Sequence, residues 1–203
     1  MDAALRAGIA VHNAGRYHAA HDAWEREWLG LDDGRDERLL HGLIQFSAAI
    51  HHARDRNWAG AVGLCESAGE YLADLPADYR GVNVDAVRAY VAALGSDPER
   101  VERASPPLLT CDGRALDLAD LDAPAGVEAA VALGDALGYD EDVLEAGAEY
   151  AREGLADGEL NEYGVLLCDF VTEAERRALV ATRLRQHVQR RQRREEDVAG
   201  LFD

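Results

Sequence analysis

Apolar residues recur along most of this chain at the three-to-four-residue spacing of amphipathic helices, and the rhythm breaks at glycine, proline and Asp/Asn clusters. The spacing predicts a first helix over residues 3–14, stopped at Gly15, and a second from Tyr17 to Leu29. Asp32, Asp33 and Gly34 make the next turn. A third helix is expected over 36–56, and Asn57 caps a fourth that ends before Pro76. A fifth covers 84–94. Ser96 and Glu99 read as a capping box opening a short helix, with Pro98 in its first turn. Helices resume over 125–137, 140–157 and 160–170, and Thr172 with Glu175 reads as a second capping box starting a last helix that reaches about residue 196. Residues 105–124 differ. Pro106 and Pro107 break any helix, and Asp112-Gly113 between two short runs predicts a small hairpin, because Asp-Gly suits a turn with two positive φ angles.

The expected fold is therefore all-α: a helical bundle around an antiparallel helix pair, a C-terminal helical extension and one small hairpin. Three regions are expected: a bundle over 1–95, a connecting segment over 96–124, and a C-terminal helical region over 125–203 ending in an arginine-rich helix.

The second helix carries the most distinctive pattern. At about 100° per residue, Tyr17, His21, Trp24, Glu25 and Trp28 fall within one arc of roughly 100°, with His21 near its middle, Asp22 further round and Arg26 pointing away. This predicts a buried His21 with Glu25 beside it. Burying such groups costs several kcal/mol (~2–7) unless they are partnered. Helix three offers partners. Leu39, Leu43, Phe46 and Ile50 form its main apolar stripe, and His41, Gln45, Ala48 and His52 recur on nearly the opposite side. Gln45 is the expected partner of His21 and Glu25 across the helix pair.

Two readings of this constellation stand side by side. In the plainer one, His21, Glu25 and Gln45 form a hydrogen-bonded network that locks two helices in register, with Trp24 and Trp28 packed around it. In the sharper one, His21, Asp22 and Glu25 are catalytic or ligand-binding groups, with Gln45, His52, Trp24 and Trp28 lining the site. His21 and Glu25, at i and i+4, could also hold a divalent metal. His18 and His21 have a chelating spacing, but the wheel puts His18 on a different edge. Six of the seven histidines lie in the first 52 residues, which concentrates such chemistry there. The pattern is neither HExxH nor the paired ExxH of di-iron bundles. His51 and His52 also read as a solvated helix end.

Charge changes the picture next. The chain has 203 residues, 39 acids against 21 bases and a net charge of −18, and every base is arginine. Such self-repulsion is relieved by concentrated salt, where the Debye length falls to about 3 Å. The composition resembles that of proteins from salt-in halophiles. No stretch approaches the ~20 apolar residues of a membrane span, and no basic-then-apolar leader opens the chain, so a cytoplasmic location is expected. Three scattered cysteines, Cys65, Cys111 and Cys168, exclude a disulfide framework and a thiolate zinc site, and read as small buried hydrophobes.

The motifs Asn13-x-Gly15-x-Tyr17, Ala20-His21-Asp22-x-Trp24-Glu25-x-x-Trp28, Gly42-Leu43-Ile44-Gln45 and Asn57 with Gly60-Ala61 together resemble the "domain of unknown function 309" family, over about residues 8–75. The composition suggests a haloarchaeal-type member. The resemblance implies a small helical bundle and implies no activity. Family members often carry Glu at the position of Asp22 and Gln at that of His41, so His41 inherits no role.

The last helix is locally basic, with eight arginines and two glutamates between residues 173 and 194. Nucleic-acid binding is disfavoured: counterion release weakens steeply with salt, and no aromatics interleave the arginines. The expected arrangement has Leu184 and Val188 inward, with the arginines meeting acidic protein surface or a second copy of the chain. The functional expectation is a non-catalytic structural or protein-interaction role; the alternative is an enzyme or small-ligand binder using the His/Asp/Glu site, with or without a divalent metal.

Overall fold

A computed structural model describes the backbone of residues 1–199 and side chains through residue 197, so the last four positions of the expected C-terminal region lie outside the described residues. The architecture is all-α, as the spacing predicts, with one two-stranded ribbon among the described residues. It divides into two compact units, Met1–Leu121 and Asp122 onwards.

The first unit holds α1 (Asp2–Asn13), α2 (Tyr17–Trp28), α3 (Arg35–Arg54), α4 (Trp58–Leu72), α5 (Val84–Ser96) and strands β1 (Thr110–Cys111) and β2 (Arg114–Ala115). Helix α3 is its axis and packs against both α2 and α4. The expected stripe Leu39, Leu43, Phe46 and Ile50 is fully buried, but so are Leu40 and Ala49 on other sides. A helix uncharged over 39–53 and covered on both flanks has to be apolar nearly all round. Each such Leu, Ile or Phe contributes about 1.5–3 kcal/mol by leaving water. Close approach depends on glycine at two places. A Cβ on Gly42 would lie 2.5 Å from the Leu72 side chain, and one on Gly8 would lie 2.1 Å from Trp24 Nε1.

The segment after α5 folds back onto α1. Asn13 fastens it: its Nδ2 donates to the carbonyls of Leu109 (2.9 Å) and Leu116 (2.8 Å), and its Oδ1 accepts from Leu109 N (2.8 Å). The hairpin forms where Asp-Gly predicts it, with φ of 51° at Asp112 and 77° at Gly113.

The second unit contains α6 (Ala123–Ala136), α7 (Glu141–Ala156), α8 (Glu162–Thr172) and α9 (Arg177–Ala199). Side chains of Asp122, Asp140 and Asn161 cap the first three by accepting the N–H three residues on. Val180, Leu184 and Val188 of α9 are buried, so its inward face is the one the sequence indicates.

Both expected capping boxes fail, for the same reason. Ser96 and Thr172 are the last residues of α5 and α8, and their hydroxyls donate backwards to Ala92 O and Cys168 O. A Ser or Thr inside a helix has the preceding turn's carbonyl within reach, and that bond competes with capping. Asn57 does cap α4, accepting from Gly60 N. The three cysteines are free thiols; only Cys65 is fully buried.

Candidate functional site

The buried side of α2 is not the aromatic arc. Its buried residues are Ala19, Ala20, Ala23 and Trp24, so the true inward face is turned by roughly a third of a revolution from the arc centred on His21. Alanines mark it because α1 and α3 press close there. Trp24 is fully buried, and its Nε1 donates to Leu5 O at 3.3 Å. Trp28 lies at the helix end, half-buried, and its Nε1 donates to Glu37 Oε1 at 2.8 Å.

His21 is therefore not sealed inside. Its side chain is 24% exposed, and its Nδ1 pairs with the Asp22 carboxylate at 2.9 Å. Gln45 is half-buried and makes no side-chain hydrogen bond to His21 or Glu25. The expected cross-helix partner loses to a carboxylate one residue away. The hydrogen bond to Asp22 raises the His21 pKa; partial burial opposes it, and the charges of Glu25 and Asp22 add to it. Glu25 contributes by proximity alone. His52 serves the other flank of α3, where its Nδ1 meets Asn57 Nδ2 at 2.6 Å, and it does not join His21.

Two residues that the sequence reading set aside, His18 and His51, gather beside His21 instead. His18 lies beside His21, ring centroids 6.0 Å apart. His51 of α3 stacks on His18 at 5.3 Å, with the rings 9° from parallel. Its Nε2 faces Asp55 at 3.5 Å. The i, i+3 spacing of His18 and His21 is the signal that marked this cluster. The wheel obscures it, because an aromatic stripe reads as the buried centre.

A second polar group sits at the opposite end of the α2–α3 pair. His41 stacks on Tyr71 (3.7 Å) and packs against Trp28 (4.4 Å), and Glu37 Oε1 bonds both Trp28 Nε1 and His41 Nδ1. An open cleft of about 400 Å³ adjoins it, lined by Asp33, Gly34, Glu37, Arg38, Glu70 and Tyr71. Arg38 is occupied, donating to the carbonyls of Glu70 and Tyr71.

One buried histidine escaped the sequence reading altogether. His12 of α1 shares a 3.0 Å hydrogen bond with Ser47 Oγ, stacks on Phe46 and meets Tyr17 edge-on. Burial pushes its pKa down to about 3; the Pro107 backbone opposes this in part, and the Arg54 charge adds to it.

The fold and these contacts define an all-helical protein whose distinctive residues gather on α1 to α4. Residues 5–64 match the family described as "Domain of unknown function (DUF309)". An uncharacterized protein of Aquifex aeolicus (strain VF5) is 26% identical over 93 residues, a match covering 43% of this chain and 28% of that protein. Neither comparison carries an activity. Among the described residues, no helix is long and apolar enough to cross a membrane.

Proposed function

We propose that this is a non-catalytic helical interaction protein, in which the His-Asp-Trp-Glu-Trp helix serves architecture rather than a reaction. One observation carries the reading: the distinctive polar groups of α2 close on the protein itself, Trp24 on Leu5, Trp28 on Glu37 and His21 on Asp22. The interaction surface is the outer face of α9. Arg185 and Arg191 hold α9 to its own unit through Asp140 and Glu153, whereas Arg183, Arg190 and Arg193 stand exposed. The partner is a second copy of this acidic chain or another acidic protein surface. The setting is the salt-loaded cytoplasm of a haloarchaeal-type cell. Arginine–carboxylate bonds at contact distance lie inside even a ~3 Å Debye length and survive where long-range fields do not.

Sedimentation velocity in molar KCl tests this. The parent chain should self-associate with rising concentration, and the triple variant Arg183→Glu, Arg190→Glu, Arg193→Glu should stay monomeric. A parent that is monomeric up to millimolar concentration removes the self-association reading.

The alternative, a small-ligand binder or enzyme using His21, Asp22 and Glu25, is favoured by the half-open state of the His21–Asp22 pair. Its check is the His21 ring signal by NMR against small anions and cations. Signals that stay put with every ligand remove it.

A further inference from the structure

We infer that His18, His21 and Asp22 form a divalent-metal site of the nitrogen–oxygen type, on the solvent-facing edge of α2 and backed by His51 of α3. It stands apart from both readings above, since a bound ion can be purely structural.

The argument begins with placement. His18, His21 and Asp22 sit at i, i+3 and i+4 on one helix, neighbours on a single face. One donor atom from each lies within 4.8 Å of the others. A zinc ion with ligands at ~2.0–2.1 Å in tetrahedral array needs its donors about 3.4 Å apart, so small side-chain rotations close the set. Such rotations are open to them. His18 is exposed, and His21 and Asp22 are half-buried. The site is neither locked by packing nor shut off from solvent.

Two further observations point the same way. The parallel stack of His51 on His18 gathers a third imidazole from a different helix. Carboxylates surround the rings, with Glu25 one turn along α2 and Asp55 against His51. The local field therefore attracts a cation. Imidazole with carboxylate suits Zn²⁺, Co²⁺ or Ni²⁺ better than Mg²⁺ or Ca²⁺. Three protein ligands leave at least one position for water, and His51 acts as a positioning residue that holds the His18 ring. The donor set differs from the His21/Glu25 pair expected from i, i+4 spacing: His18 and Asp22 take the place of Glu25.

The test uses the full chain without an affinity tag, stripped with chelator and titrated with Zn²⁺ and with Co²⁺ in molar KCl. Calorimetry and the visible Co²⁺ spectrum are read together. One equivalent should bind with micromolar or tighter affinity. His18→Ala and His21→Ala should each weaken binding about tenfold or more, while His52→Ala leaves it unchanged. Glu25→Gln should change affinity less than about threefold. No saturable binding overturns the inference, and so does equal loss in His52→Ala. A tenfold loss in Glu25→Gln overturns the assigned donors. If far-UV circular dichroism shows His21→Ala misfolded, His18→Gln, an exposed replacement, decides alone.

Discussion

His12 should make the first unit sensitive to mild acid. The ring is buried among Phe46, Tyr17 and Trp24, and its folded-state pKa is about 3 against 6.5 in an open chain. A histidine with a depressed folded value stabilises the fold fully above its unfolded pKa, and that contribution is lost as pH falls, because the unfolded chain takes up a proton that the folded chain refuses. At pH 7.5 the term is close to zero. At pH 5 it favours unfolding by about 2 kcal/mol, and at pH 4 by about 3. The perturbation that isolates it is His12→Asn. The amide can keep the bond to Ser47 but cannot titrate, and loss of the ring costs about 1–3 kcal/mol at any pH. Urea unfolding of parent and variant in molar KCl, at pH 7.5 and pH 5, gives the double difference. The parent's advantage should shrink by about 2 kcal/mol on acidification. The other histidines cancel in the subtraction. His21, whose pKa is raised, works with the opposite sign: its stabilisation is present below its unfolded pKa and lost as pH rises through its folded value. A double difference below about 0.5 kcal/mol would mean that His12 is hydrated or protonated in the folded chain, and the account of a dry core at that point would be wrong.

Three further outcomes are expected by thermal or denaturant unfolding. Gly8→Ala should destabilise by about 3 kcal/mol or more, because the new methyl would fall on the Trp24 indole at 2.1 Å and both helices have partners behind them; near-parental stability would show that α1 can slide. Asn13→Ala should cost about 2–4 kcal/mol by orphaning two carbonyls and an amide, and should speed amide exchange at Leu109; unchanged exchange would sink the clamp. His21→Ala should cost only about 1 kcal/mol or less, since its pair with Asp22 is half-exposed; a larger loss would restore the buried network expected from the helical wheel.

The fold was legible because its information is local. Helix spacing, Asn57 as a cap and Asp-Gly as a turn each act within a few residues. The failures also have local causes: Ser96 and Thr172 could bond backward or forward, and only the position of the helix end decides. The candidate site was half legible. His21 does meet Asp22 and feel the charge of Glu25, but the wheel misplaces their exposure, because a stripe of aromatics weighs more on it than alanines do. The small residues hold the inward face, for they let two helices approach. His51 and His41 could not be placed beforehand. Their partners, His18 and Tyr71, lie 33 and 30 positions away, and only the packing of α3 against α2 and α4 brings them together.

The clamp at Asn13 bears on where this protein could be cut. Similarity to the DUF309 family ends at residue 64, yet a side chain inside the matched stretch is completed by backbone from Leu109 and Leu116. The matched stretch and the mechanically closed unit therefore have different borders. A fragment trimmed to residues 5–64 would strand the Nδ2 and Oδ1 of Asn13 and open the apolar seat of Leu109. Chain beyond the matched stretch thus acts as a lid on it.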